Sequence, residues 1–158
     1  AQIARAGKIH TGFLQALLTL PFFQEAFPKS TGPEYFNLSK ISELAPQGIS
    51  SADCIATLTR FSAESIAQAI QHYTGLQQGN VYVSGGGARN PLMMEHLATL
   101  LPGFTIQDSQ VLGIQSAAKE AVLFALLANE TLMDPSPSRD RRLGDSPWMT
   151  MGKICLPN

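Results

Sequence analysis

The pattern of apolar and polar positions predicts long helices in the first half of the chain. Residues 10–20 place apolar side chains at near-helical spacing until Pro21 ends the segment. The same spacing continues from Ser50 to Gly75, and Ser50 with Asp53 forms a pattern that caps helix N-termini. We therefore expect one helix before Pro21, and one long helix or two abutting helices between Ser50 and Gly75.

The pattern changes to that of a strand at Val81. A β-branched and aromatic run stops at three consecutive glycines, and Asn90 and Pro91 then begin a segment with helical spacing. Asn90 is a favoured N-cap residue, and proline suits the first helical position. This helix is expected to end at Pro102, before a second short strand at residues 104–106. Two strands joined through a helix predict a parallel pair.

A last strong helix is predicted from Ser116, its expected N-cap, to about Leu132. Its apolar stripe is predicted to face the core, and Glu120 lies on that stripe near the helix start. Glu120 is either an inward acceptor for substrate hydroxyls or a first-turn acid that the helix dipole favours. The stripe includes Leu123, Phe124 and Leu127.

Two segments are predicted to be irregular. Residues 133–150 combine prolines with mixed charges, so we expect a solvent-exposed excursion there. Residues 28–36 interrupt helical spacing with two prolines and a glycine, which predicts a turn. Lys29, Ser30 and Thr31 could contact a phosphate or sugar, but we favour a turn that covers neighbouring aromatic side chains.

The composition is that of one globular unit. The chain has 158 residues, of which 44% are hydrophobic and 15% charged, enough for a core of ordinary size. A net charge of −1 and a pI near 6.3 provide no electrostatic attraction to nucleic acid or to an acidic membrane surface. No apolar stretch approaches the length of a membrane span. We therefore expect neither nucleic acid nor a membrane as a partner.

Cysteine and histidine usage indicates a compartment and argues against a metal site. Cys54 and Cys155 lie far apart without a C-x-x-C arrangement, which is typical of reduced thiols in the cytoplasm. The start at Ala1 lacks a methionine and a signal-like apolar run, so the chain is expected to be part of a longer protein. The histidines lack metal-ligand spacing, and no metal is expected on them. They are His10, His72 and His96.

The glycine-rich loop is the candidate binding site. Gly85, Gly86, Gly87 and Ala88 carry little or no side chain, so a ligand can approach the backbone there. Free N–H groups and the dipole of the following helix favour negative charge. Arg89 could stack on a flat base or meet a phosphate. This combination favours a nucleotide; the alternatives are a tight strand-to-helix turn and a solvated surface arginine.

A dinucleotide-binding domain is an alternative for the same loop. Gly85-x-Gly87 with Asp108 about twenty positions later is similar to the fingerprint of Rossmann folds. Asn90 stands where the third glycine is expected, and about eighty mostly helical residues precede the strand. A Rossmann fingerprint usually opens its domain, so we rank this alternative second.

Three blocks of the sequence resemble known families. Val-Ser-Gly-Gly-Gly-Ala-Arg-Asn-Pro at residues 83–91 resembles the adenosine-binding loop shared by actin, heat-shock chaperone ATPases and sugar kinases. Residues 28–37, with Lys-Ser-Thr-Gly, and residues 113–128 resemble two blocks of anhydro-N-acetylmuramic acid kinases, in the same order. Two departures are Pro33, where that family usually has arginine, and residues 116–118, where an aspartate is common.

The resemblance implies an α/β fold, the C-terminal lobe of an actin-like (ribonuclease H-like) two-lobe ATPase, helix-rich around a small mixed sheet. Residues 1–158 would be the nucleotide-binding lobe of a longer kinase. The implied enzyme uses ATP and Mg²⁺ to open the 1,6-anhydro ring of anhydro-N-acetylmuramic acid. It would phosphorylate the sugar to N-acetylmuramic acid 6-phosphate in cell-wall recycling, and its partners would be ATP, the sugar and the N-terminal lobe. A homodimer is left open.

The resemblance also assigns roles to residues. Nucleotide-binding residues would be Gly85, Gly86, Gly87, Ala88 and Arg89. A family glutamate that helps to hold the anhydro-sugar corresponds to Glu120. The catalytic base and the phosphate loop are expected in the N-terminal lobe, so no catalytic residue is assigned in this chain and the chain alone is expected to be inactive. A non-catalytic nucleotide-binding module is the alternative.

Overall fold

The computed structural model describes residues 1–26, 28–113, 115 and 118–133 of the chain. These residues form α-helices and two strands, with short 3₁₀ helices at Gly86–Arg89 and Ser109–Leu112. The elements are α1 (Gln2–Ala6), α2 (Thr11–Leu18), α3 (Pro21–Gln24), α4 (Leu38–Leu44), α5 (Ser51–Thr74), β1 (Gly79–Val83), α6 (Pro91–Leu100), β2 (Phe104–Asp108) and α7 (Lys119–Met133).

Helix α5 is the longest element and the support for its neighbours. It begins after Ser50, whose hydroxyl accepts the backbone N–H of Asp53 at 3.0 Å. It ends at Gly75, which adopts a left-handed conformation with φ of 63°. Ser50 with Asp53 predicted the start of this helix and Gly75 its end, and of the two alternatives the single long helix is the one observed.

The core lies where α1, α2 and α6 pack against α5. Alanines 56, 63 and 67 of α5 are buried, and their small side chains let the neighbouring helices approach closely. Phe13 of α2 and Leu97 of α6 are almost completely buried. Thr57 is buried too, but its hydroxyl accepts the His10 N–H at 2.9 Å and donates to the Asp53 carbonyl at 2.7 Å. Its polar group is therefore satisfied.

An aromatic cluster covers one end of this core, as the turn prediction for residues 28–36 expected. Phe22 and Phe23 of α3 pack edge to face at 5.3 Å, and Phe23 also packs against Phe61 of α5 at 5.5 Å. The Lys29 ammonium donates to the Phe22 carbonyl at 2.8 Å and lies 4.7 Å from the centre of its ring. Lys29 therefore helps to hold the turn over the aromatic side chains. Tyr35 and Phe36 complete the cluster.

The two strands form the parallel pair that the sequence predicts. Gly79 lies opposite Phe104 and Val83 opposite Asp108, so both strands end at the same edge. Strand β2 extends two residues beyond the prediction, to Asp108. The chain is therefore α/β with a small parallel sheet. A mixed sheet and the actin-like lobe architecture stay predictions.

Helix α7 differs from its prediction. It begins at Lys119 rather than just after Ser116, which lies outside the described residues, and it continues to Met133. Leu123 and Phe124 are exposed, so the prediction that their stripe faces the core is wrong for the core formed by this chain. Residues 121–128 are all apolar, so the sequence does not single out one face to turn inward, and the described residues leave Leu123 and Phe124 uncovered. The excursion predicted at residues 133–150 lies outside the described residues from position 134 onward.

None of the helices in residues 1–26, 28–113, 115 and 118–133 combines the length and apolar content needed to cross a bilayer.

Candidate functional site

The glycine-rich loop lies at the carboxyl edge of the sheet and leads into α6. It follows β1 directly, and the register of the sheet places the end of β2 beside the end of β1. In α/β sheets, ligands bind outside the carboxyl ends of the strands. The location therefore agrees with the predicted binding site.

The loop is an ordered turn. Gly85 has φ of 78° and ψ of −158°, a combination that is essentially restricted to glycine. The segment Gly86–Arg89 then forms one turn of 3₁₀ helix, and the Asn90 N–H donates to the Gly87 carbonyl at 3.0 Å. Gly85 thus redirects the chain from β1 into the turn.

Asn90 and Pro91 start α6 as the sequence predicts. The side-chain oxygen of Asn90 accepts the Met93 N–H at 3.4 Å, and Pro91 occupies the first helical position. The first N–H groups of a helix usually have no partner within the helix. Here the Met93 N–H is hydrogen-bonded to Asn90, and Pro91 has no N–H group. The sequence predicts free N–H groups that would attract an anion at the start of α6. Fewer such groups are free than predicted, so the attraction for an anion is weaker.

The open side of the loop is formed by Gly85 and Gly86. A Cβ atom built on either residue meets no other atom within 4 Å, whereas one on Gly87 would lie 3.5 Å from the Met93 sulfur. Arg89 is exposed, and it takes part in none of the ion pairs found among the described residues. An open backbone surface and an accessible planar cation therefore lie next to each other, as predicted; Ala88 between them is half-buried.

Asp108 also lies at this edge. Its position opposite Val83 brings it close to the start of the loop, and its carboxylate accepts the Gln110 N–H at 2.8 Å. In the sequence this residue was singled out only for the Rossmann alternative. The β-loop-α-β pattern was the signal that could have placed it beside the loop, because the carboxyl ends of parallel strands meet at one edge.

Glu120 is not brought to the loop by any contact in the described part of the chain. It lies in the first turn of α7 and is exposed, so its expected inward position is wrong. Within residues 1–26, 28–113, 115 and 118–133, no hydrogen bond or ion pair joins it to residues 85–89. Its first-turn position agrees with the helix-dipole alternative. Its role in sugar binding stays a prediction.

The three histidines have structural surroundings. His10 caps α2, because its Nδ1 atom accepts the Phe13 N–H at 3.1 Å. The His72 ring packs edge to face on Tyr73 at 4.7 Å. Burial, and secondarily the Arg60 guanidinium, lower the pKa of His96. The described residues contain no group of three or more histidine, cysteine, aspartate or glutamate side chains that could hold a metal ion.

A separate groove of about 1300 Å³ lies between α3 and the C-terminal half of α5. Phe22, Phe23 and Lys29 line one side, and Gln68 and His72 are among the residues of α5 on the other. No residue of the glycine loop borders it. The groove is therefore distinct from the predicted nucleotide site.

Known proteins are similar to this chain over almost its whole length. A relative from Pseudoalteromonas atlantica, named anhydro-N-acetylmuramic acid kinase, is 47% identical over 162 aligned positions, which cover 99% of this chain and 40% of the relative. Relatives with the same name from Pseudoalteromonas translucida and Psychrobacter arcticus are 43% and 37% identical. The chain thus spans about 40% of the length of the curated relatives that it matches.

The family model for anhydro-N-acetylmuramic acid kinase matches residues 1–156. A match of this extent decides against the dinucleotide-binding alternative, since it includes the glycine loop and the helices before it. The chain belongs to the anhydro-N-acetylmuramic acid kinase family.

Proposed function

We propose that this chain is the nucleotide-binding part of an ATP-dependent kinase that opens and phosphorylates anhydro-N-acetylmuramic acid in cell-wall recycling. The observation that carries the proposal is the open backbone at Gly85 and Gly86 beside an exposed Arg89, at the carboxyl edge of a parallel sheet. Family membership supplies the class of reaction. A cytoplasmic location belongs to the same proposal.

The loop suits the adenosine part of ATP better than its phosphates. The Met93 amide is taken by the Asn90 cap and Pro91 has no N–H, so few donors remain at the start of α6 for a phosphate. A side-chain-free backbone accepts a flat ring or ribose closely, and the Arg89 guanidinium can stack on a purine. In this proposal Gly85, Gly86, Gly87 and Ala88 lie along the nucleoside.

The groups that act on the phosphates lie outside this chain in the proposal. Mg²⁺ is usually held by one or two carboxylates together with substrate phosphates, and the described residues provide no cluster that would hold it alone. Phosphoryl transfer depends on positioning and charge neutralisation, which need both sides of the nucleotide. Because the chain spans 40% of its relatives, we propose that the remaining part provides the phosphate clamp and the base, with Glu120 holding the sugar.

Nucleotide binding is tested by titrating ATP into the ¹⁵N-labelled chain. We expect amide shifts at Gly86, Ala88 and Arg89 that saturate at millimolar ATP. Arg89→Ala and Gly86→Val should each weaken binding about tenfold, since one removes the stacking cation and the other fills the open side. Lys40→Ala is the control, because Lys40 lies on α4 in an exposed ion pair and should not affect binding. Shifts elsewhere without shifts in the loop would contradict the proposed site.

Catalysis is tested in a whole protein. This chain replaces the homologous region of the Pseudoalteromonas atlantica relative, and transfer of phosphate from ATP to anhydro-N-acetylmuramic acid is measured. The chimera should be active, the isolated chain inactive, and Arg89→Ala should raise the KM for ATP in the chimera. A chimera that folds and binds ATP without transferring phosphate would instead favour a non-catalytic nucleotide-binding module.

A further inference from the structure

The middle of helix α7 is apolar on all of its sides. Residues 121–128 are eight consecutive apolar residues, Ala-Val-Leu-Phe-Ala-Leu-Leu-Ala. An α-helix has 3.6 residues per turn, so a run of this length presents apolar groups in every direction around the axis. A helix that is hydrophobic all round is normally buried in the core of a large protein. The sequence of this middle segment is therefore that of an internal helix.

The described part of the chain leaves this helix largely uncovered. Its large side chains point in different directions, and each of those given below is at least half exposed. The preceding 3₁₀ helix also exposes Val111 and Leu112. Soluble proteins rarely expose contiguous apolar surface on this scale unless a partner covers it. The exposed fractions are 50% for Leu123, 67% for Phe124, 58% for Leu126 and 67% for Leu132.

We infer that α7 is a central core helix of the whole kinase and that the part of the protein outside the matched region surrounds it. The match covers only 40% of each of two relatives, so most of a family member is available to cover the helix. One neighbouring helix could cover only one side of α7. Val122 and Leu127 are half-buried, but the exposed side chains on the remaining sides of α7 still require a partner that covers more than one side of the helix. This inference rests on the proposed function in one respect: the partner that covers α7 is taken to be the rest of the same kinase.

Thiol labelling tests the inference in two proteins. In a Cys54→Ser, Cys155→Ser background, one thiol is introduced as Phe124→Cys or, with less change in volume, as Ala128→Cys, which is also exposed on α7. The control is Gln47→Cys in an exposed polar turn. Each variant is made in the isolated chain and in the chimera with the Pseudoalteromonas atlantica relative. The measurement is the rate of reaction with a maleimide, relative to that of the control in the same protein.

In the isolated chain, the α7 thiols should react at rates similar to the control. In the chimera they should react at least about 100-fold more slowly than the control, because labelling then requires local unfolding. Equal rates in the chimera would overturn the inference. Slow labelling in the dilute isolated chain would show that the chain's own residues cover α7, and slowing that grows with concentration would show that a second copy covers it. Either result would also overturn it.

The kinase proposal has a separate readout. A chimera that protects α7 but transfers no phosphate would leave the inference standing and contradict the proposed function. An active chimera in which α7 is labelled as fast as the control would support the proposed function and overturn the inference.

Discussion

Gly85 shows how one backbone conformation decides which residue a position can hold. Its φ of 78° and ψ of −158° lie in a region that is essentially restricted to glycine. A Cβ atom there would meet nothing within 4 Å, so steric crowding is not the reason. Gly86 has the same open surroundings, but its φ is not positive. The two adjacent glycines therefore have different physical roles.

Replacing Gly85 by alanine should destabilise the chain, since the loop must then strain or change its path. We expect Gly85→Ala to lower the free energy of unfolding by about 1–3 kcal/mol, measured by urea unfolding. Gly86→Ala is the matched control and should stay within about 0.5 kcal/mol of the original. Equal losses for both variants would show that the backbone conformation is not the cause.

At the scale of elements, the link between α1 and α2 is held closely against the start of α5. A Cβ atom on Gly7 would lie 2.1 Å from the Ala52 carbonyl oxygen. The next amide, that of Lys8, donates to the Asp53 carboxylate at 2.6 Å. The backbone at Gly7 thus packs directly against the backbone at the start of α5, and the hydrogen bond from Lys8 to the Asp53 carboxylate stabilises this contact.

Gly7→Ala should separate this link from α5, because the obstructing atoms belong to a helix backbone that cannot move aside. We expect a loss of about 1–3 kcal/mol in unfolding free energy, measured by thermal or urea unfolding. Gly12→Ala is a matched control inside α2, where the new Cβ would lie 3.4 Å from the His10 ring. It should stabilise slightly, since alanine is the better helix former. A neutral Gly7→Ala variant would contradict the close approach.

Protonation of the Asp53 carboxylate at low pH should lower the stability of the fold. The Lys8 N–H, and secondarily Ser50, hold the pKa of Asp53 below its ordinary value. A lowered pKa means that the unfolded chain binds the proton more readily. This contribution to stability is therefore complete above the unfolded pKa, near pH 4, and is lost as the pH falls through the lower folded value. Asp53→Asn should flatten the decline in melting temperature between pH 5 and pH 3. An unchanged decline would contradict this linkage.

The elements that could be predicted from sequence are those with their own local signals. Ser50 and Gly75 marked the ends of α5, and Asn90 with Pro91 marked the start of α6. Helix α4 (Leu38–Leu44) was not predicted, because its apolar pattern is short, although Asn37 caps its start by accepting the Lys40 N–H at 2.9 Å. The sequence predicts the loop between β1 and α6 but not its 3₁₀ turn, and nucleotide binding by the loop stays a prediction. The exposure of α7 depends on what surrounds it, which spacing along the chain does not encode.

At the scale of the whole molecule, one group of helices forms a packed core, whereas the sheet and α7 are largely uncovered. In the described part of the chain, helices α1, α2, α5 and α6 share a buried core, whereas the sheet there has two strands and α7 exposes most of its large side chains. Two strands alone are marginally stable, and three or more strands or a covering helix are usually needed. The match to 40% of the length of each Pseudoalteromonas relative is consistent with this division.

The isolated chain should therefore bind the hydrophobic dye ANS while it is folded. Phe124→Ser should reduce the dye fluorescence without lowering the melting temperature by more than about 2 °C, since the side chain is mostly solvated. Phe13→Ser, in the packed core, is the contrasting variant and should lower the melting temperature strongly. Unchanged fluorescence in the Phe124 variant would show that α7 is not the exposed surface.

The different roles of Gly85 and Gly86 have a consequence for evolution. No single-nucleotide change of a glycine codon produces another amino acid that readily adopts the Gly85 backbone, so every substitution at that position lowers the stability of the fold. The codon for Gly86 can change without this penalty. Under the proposed function, natural variation at position 86 records how strongly bound nucleotide constrains the lineage, and a lineage that had lost its ligand would diversify there first.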